Sequence, residues 1–269
     1  MNKTISDKTP HWDYGIEKIL NLKILEDTIK FHQSSTRIVR DTSDNMNPEL
    51  DQWLLNVEYT DILPNVYKEE IKLSIENKKN FNGSERDFTS ENLGVNEFSE
   101  LIYNSFGRNK ESTSKRYPSA GALYPVIPLI YLFEENSING LDIGAGVYVL
   151  NTQRNTLRQI KSYTQTELNE INNTITKITE SKRMISKYCI GYSIDMKRAI
   201  GKYQRRGYRH ALIEVGLAAQ SFKESCIEMD KIGQVCWSGY DDNAFTFLSG
   251  MNVRNAPVVL IQWFGKVVN

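Results

Sequence analysis

Cysteine and histidine are scarce in this chain of 269 residues, with three of each, widely spread. Cys189, Cys226 and Cys236 are odd in number and lack the close pairing of zinc sites and disulfide frameworks, so all three are expected to be buried or partly buried thiols. His11, His32 and His210 are equally scattered, and no His/Cys/carboxylate cluster has ligand spacing, which argues against a metal-centred enzyme. Net charge is missing as well: Lys plus Arg and Asp plus Glu both total 33. No global field therefore draws nucleic acid or an anionic membrane to the chain. There is no N-terminal apolar signal core and no apolar run of about 18 residues, so a cytoplasmic chain that does not enter the membrane is expected. A P-loop, a dinucleotide-binding glycine fingerprint, a Ser/His/Asp motif and internal repeats are absent too.

What is present suits a soluble globular protein with a sizeable core, since 40% of residues are hydrophobic and 25% charged. Residues 1–80 are polar and poor in glycine, with helix-spaced apolar positions at Ile16, Ile19 and Leu20 and again at Leu22, Leu25 and Ile29. They are expected to form a mostly helical N-terminal extension, a scaffold or partner-docking part, in which Trp12, Trp53 and Tyr59 pack. Residues 81–269 carry sharper signals. A helix should begin near Asn96, which could cap it, bury Phe98, Leu101 and Ile102, and end at Gly107. Strands are expected at Val126–Phe133, with Pro128 marking an edge or bulge, and at Val147–Leu150, Thr156–Ile160, Cys189–Ile194 and Pro257–Phe264. The last is apolar enough for burial on both faces. Residues 165–186 are mostly helix-compatible. Ala211, Val215, Ala218, Phe222 and Cys226 give a small-residue helix face that can pack closely.

Three stretches could carry chemistry. In Lys115–Pro125 two prolines bracket Ser119, Ala120 and Gly121, whose small side chains let a flat, polar-edged ligand approach the backbone amides; an ordinary loop feeding a strand has the same composition. Arg86 lies between acidic neighbours, as a phosphate fork or as an ion-pair partner of Glu85 or Asp87. From Lys197 to Arg209 six residues are basic. That run is either a solvated face or the setting for Lys202, beside Tyr203, to act as a general base if its surroundings lower its pKa.

Taken in order, Arg116-Tyr117-Pro118-Ser119-Ala120-Gly121-Ala122-Leu123-Tyr124-Pro125, Lys202-Tyr203-Gln204-Arg205-Arg206-Gly207-Tyr208-Arg209, Trp237-Ser238-Gly239-Tyr240-Asp241-Asp242 and Ala256 to Gly265 resemble one family. It is the FMN-dependent azoline dehydrogenases of thiazole/oxazole-modified, microcin-type peptide biosynthesis, the McbC-like and SagB-type branch of the nitroreductase fold. The resemblance covers roughly residues 82 to 265 and leaves 1–80 unmatched. It implies an α+β fold, a central mixed or antiparallel sheet flanked by helices, and FMN as cofactor. It implies Lys202 and Tyr203 as the catalytic pair, Arg86 on the FMN phosphate, Ser119, Ala120 and Gly121 along the flavin ring, and Gly239 and Tyr240 approaching from the other side. The implied reaction oxidises thiazolines or oxazolines of a precursor peptide to azoles, in a homodimer working with cyclodehydratase subunits. A generic NAD(P)H-dependent nitro- or quinone reductase and a flavin-less scaffold subunit are the competing expectations.

Overall fold

The computed structural model describes residues 10–38, 48–57, 60–74, 83–177 and 183–268. They fall into two units, one combining the chain up to residue 39 with Ser84 onward, the other within residues 40–83. Among the described residues the smaller unit has one helix, α3 (Pro48–Val57), and an exposed segment, 60–74, in which Ile62, Leu63 and Val66 face solvent. The first helices, α1 (Pro10–Ile19) and α2 (Leu22–Ser34), belong to the first of these units. Helix α2 buries Leu25, Thr28, Ile29 and His32 in the main unit, following the apolar spacing of its sequence.

The main unit is built on a six-stranded sheet of order β5-β4-β2-β6-β8-β7. The strands are β2 (Val126–Leu132), β4 (Gly146–Asn151), β5 (Thr156–Ser162), β6 (Tyr188–Ile194), β7 (Ile232–Trp237) and β8 (Val258–Lys266). Every neighbouring pair is antiparallel. A two-residue parallel ladder joins β1 (Leu93–Gly94) to β3 (Ile138–Asn139). Pro128 does not lie on an edge strand: β2 runs between β4 and β6. Pairing with β4 begins only at Leu129, so the strand becomes two-sided one residue beyond the proline.

One sheet face carries α4 (Val95–Phe106), α6 (Met196–Tyr203), α7 (Arg205–Glu228) and α2 over a core of Phe98, Leu101, Phe106, Tyr192, Phe222 and Phe264. The other carries α5 (Gln165–Asn173) and α8 (Asp242–Leu248) over Tyr131, Tyr240, Phe245 and Trp263. Helix α4 is capped at Gly94, whose amide donates to Glu97, rather than at Asn96, and it closes at Gly107 as expected. Of residues 165–186 only α5 is helical among those described. No helix among the described residues is long and apolar enough to cross a membrane, and no group of His, Cys, Asp and Glu there could hold a metal ion.

Candidate functional site

Helix α6 starts at Asp195, whose carboxylate accepts from the Arg198 amide at 3.0 Å. It ends at Gln204, held at φ 55°, and α7 then folds back against it. Gly207 makes that reversal possible, since a Cβ there would collide with the Ala199 carbonyl. The reversal leaves Lys202 and Tyr203 on the last turn of α6, above the Ser119–Gly121 loop. A Cβ on Gly121 would lie 2.7 Å from the Tyr203 hydroxyl and 3.1 Å from Lys202 Nζ. Two stretches singled out in the sequence thus meet. Lys202 Nζ stands 5.2 Å from the Tyr203 ring centroid, and that ring packs edge-on against His210 at 5.3 Å. Tyr203 is half-buried and Lys202 exposed.

The loop itself is tightly determined. Ala120–Ala122 form a single 3-10 turn, and Gly121, Ala122 and Tyr124 take φ of 64°, 54° and 48°. Left-handed geometry at two non-glycine residues costs energy and persists only where neighbours impose it. Here the Tyr124 amide donates to Ser119 Oγ at 2.8 Å, the Ala122 amide to the Ser119 carbonyl at 3.0 Å, and the Lys115 amide to the Tyr124 hydroxyl at 3.1 Å. The Ser119 hydroxyl also lies close enough to the Glu214 carboxylate to favour its charged form. Ser119 thus helps to shape the loop that holds Ala120 and Gly121.

Glu214, on the buried side of α7, also belongs to this region. It is 3% exposed, and one carboxylate oxygen, Oε1, has no hydrogen-bond partner. Burial raises its pKa, against the pull of the Ser119 hydroxyl, the Val126 amide and the charges of Lys115 and Arg198. The signal was available, because an acid among Ala211, Val215 and Ala218 sits on an apolar helix face. Lys115 is its counterpart. Burial, with Arg108 nearby, brings its ammonium down to about 8, and Nζ donates to the Tyr117 hydroxyl at 3.1 Å.

The remaining predicted residues lie elsewhere in the chain. Arg86 is exposed at the far end of the sheet, where the Glu85 amide donates to the Gln234 carbonyl and Phe88 bridges Val267. Since β2 runs from the Ser119 end to that end, Arg86 is separated from Gly121 by about the length of a seven-residue strand, roughly 20 Å. Among the described residues it forms no ion pair with Glu85 or Asp87. Gly239 follows β7 on the opposite sheet edge from β5. Its carbonyl accepts from the Thr176 amide and hydroxyl and from Trp237 Nε1, and a Cβ there would collide with Thr176 Oγ1. The Tyr240 side chain faces the core. Its ring is buried at 5.1 Å from Phe245, its hydroxyl donates to the Val258 carbonyl at 3.2 Å, and it belongs to the core on the sheet face away from α6.

No family model matches the chain. Among curated proteins it is similar to the microcin B17-processing protein McbC of Escherichia coli, 27% identical over 180 residues, which is 65% of this chain and 63% of that protein. The match thus spans somewhat less than two thirds of the relative. Among solved structures, the fold is similar to a chain of the E. coli microcin synthetase McbBCD complex with truncated pro-MccB17 bound. That similarity has TM-score 0.81 at 19% identity and covers 95% of this chain and 97% of the other. A protein from Ralstonia eutropha assigned as a nitroreductase aligns at TM-score 0.54 and 14% identity, over 70% of this chain and 80% of its own. The chain has the nitroreductase-like α+β fold, with its antiparallel sheet flanked by helices.

Proposed function

We propose that this protein is an FMN-dependent azoline dehydrogenase that oxidises thiazolines or oxazolines of a precursor peptide to azoles. The observation that carries this reading is the placement of Lys202 and Tyr203 directly over the left-handed Gly121, in a cradle that any larger residue would fill. Similarity to McbC supports the same chemistry. Bound FMN would supply the hydride acceptor. Arg86 would hold its phosphate by the planar guanidinium fork, and the backbone of Ala120, Gly121 and Gly239 would meet the ring. Lys202, as the neutral amine, would take the azoline ring proton as general base, with Tyr203 orienting the amine or relaying the proton, once substrate or a neighbouring subunit excludes water. Because Arg86 and Gly239 stand apart from Gly121 and Lys202 in one chain, a homodimer that sets one copy's edge strand against the other's loop would complete the site. The peptide would reach it from cyclodehydratase subunits of the same synthetase.

Replacing a general base typically costs about 10²- to 10⁴-fold. Lys202→Ala should therefore abolish most azole formation, read by mass spectrometry as loss of two hydrogens per ring, while the protein still purifies yellow. Normal oxidation by that variant would remove Lys202 from the mechanism. Arg86→Ala should lower flavin content first, and unchanged content would leave Arg86 as a surface charge. Rapid bleaching of the flavin by NADPH would favour a nicotinamide-driven reductase instead. A colourless protein that does not rebind FMN would favour a scaffold subunit.

A further inference from the structure

A cavity of about 190 Å³ lies next to the Ser119–Gly121 loop, and its lining is of two kinds. Val126, Ile130 and Val149 give it an apolar side. Arg108, Lys115 and Arg198 give it three cationic groups, and none of its lining residues is acidic. These charges are poorly matched from within. The Arg108 guanidinium donates to the Thr113 carbonyl at 2.8 Å and lies 4.5 Å from the Tyr124 ring centroid. Lys115 Nζ has one neutral partner, the Tyr117 hydroxyl, although an ammonium carries three donors. The Arg198 guanidinium has no hydrogen bond or ion pair among the described residues; only its backbone amide is engaged. The acid within reach, Glu214, is buried and attracts Lys115 and Arg198 electrostatically but forms no ion pair with either among the described residues. Burial without full pairing is costly for an ammonium and is relieved by an anion.

We propose that this cavity is a subsite for a carboxylate borne on a short apolar stem, with Arg108, Lys115 and Arg198 taking the carboxylate and Val126, Ile130 and Val149 taking the stem. Guanidinium forks pair bidentately with carboxylates, and the cavity is too small for more than a few carbons beside one. Arg198 precedes Lys202 by one helical turn on α6, so an occupant would lie beside the Lys202–Tyr203 pair. That the carboxylate belongs to the peptide being oxidised rests on the reading above. It would be an acidic side chain or a C-terminal carboxylate near the ring.

The test uses full-length protein and two small probes, isovalerate and isovaleramide, at constant ionic strength. Isovalerate should raise the melting temperature saturably, as a ligand of the native state does, and isovaleramide should not. Arg198→Gln and Arg108→Gln should each weaken isovalerate binding by roughly 10- to 100-fold, the range of a charged hydrogen bond. Equal effects of acid and amide, or undiminished binding by both variants, would overturn the subsite. Arg198 is exposed, so its variant is expected to fold. Short amidated peptides differing in one Glu or Gln, and the same peptide with free or amidated C-terminus, then separate the two carboxylate sources. None of these readouts needs flavin. A protein that binds isovalerate but never retains FMN would refute the dehydrogenase reading and leave the subsite standing.

Discussion

At Gly121 the backbone holds φ of 64° while the Tyr203 hydroxyl and Lys202 Nζ occupy the space a side chain would take. Alanine there would pay the left-handed penalty of about 1–2 kcal/mol and push aside the far ends of both side chains. Gly121→Ala should therefore lower the urea midpoint modestly and azole formation much more. Measuring both on one preparation checks this, and unaltered turnover would mean that loop and pair do not work as a unit. Lys115 makes a different statement, through pH. Its folded pKa, about 8, lies below the ordinary 10.5, so between those values the unfolded chain binds the proton that the folded chain has released. Stability contributed by this residue therefore rises with pH from about 8 to 10.5. Against Lys115→Met, the wild-type urea midpoint should climb across that window, and parallel curves would show that Lys115 is not held in this environment. Composition marked Ser119–Gly121 and Lys202–Tyr203 as unusual, but their meeting depends on the reversal at Gly207, which no spacing reveals. An aromatic after Ser-Gly reads alike in a sequence whether it faces a ligand or, as the Tyr240 side chain does here, the core.

Elements were legible where periodicity was unmixed. Strands β2, β4, β5, β6 and β8 lie within two residues of their expected bounds, because β-branched and aromatic runs between turn residues have few other uses. Helix α6 was overlooked: its charges invite a surface reading, although Asp195 three residues before Arg198 is a cap signal. Strand β7 was overlooked too, with a glycine near its start. The N-terminal helices hold a consequence for the site. Ile16 comes within 3.3 Å of where a Cβ on Gly201 would stand, Lys197 pairs with Glu17 at 3.1 Å, Arg205 pairs with Asp27, and His32 Nδ1 shares a 2.9 Å hydrogen bond with the Tyr208 hydroxyl. Helices α1 and α2 thus brace the α6–α7 junction rather than serve only as a docking part. Tyr208→Phe leaves buried His32 Nδ1 unpaired beside an already unpartnered Nε2, which should cost about 1–3 kcal/mol in urea denaturation. Burial also lowers the His32 pKa, so the unfolded chain takes up its proton first as pH falls through 6.5, and stability drops there. His32→Gln should flatten that drop, and a slope equal to the wild type's between pH 5 and 7 would place the titrating group elsewhere.

For the whole molecule, the separation of Arg86 and Gly239 from the Lys202 loop demands a second copy if one flavin is to touch them all. The long helix α7 offers a surface for it. Leu212, Ile213 and Leu217 are 41%, 55% and 39% exposed on one side of that helix, and Gly216 between them has open space before it. The apolar spacing that drew attention in the sequence belongs to the opposite, buried side, where Ala211, Val215 and Ala218 pack on the core. Fully burying a leucine is worth about 1.5–3 kcal/mol, while a stable interface needs roughly 800 Å² per partner, so these residues would centre a larger contact that includes neighbouring surface. Leu217→Glu would place a charge in that centre, where desolvation without a partner is prohibitive. Sedimentation should give a dimer for the wild type and a monomer for the variant, with circular dichroism unchanged because the position is solvent-facing in one chain. Flavin content should fall with dimer content even though Arg86, Gly121 and Lys202 are untouched. A monomeric variant that keeps its full flavin would mean that each chain builds its own site, and Arg86 and Gly121 would then have to be read as two unrelated features.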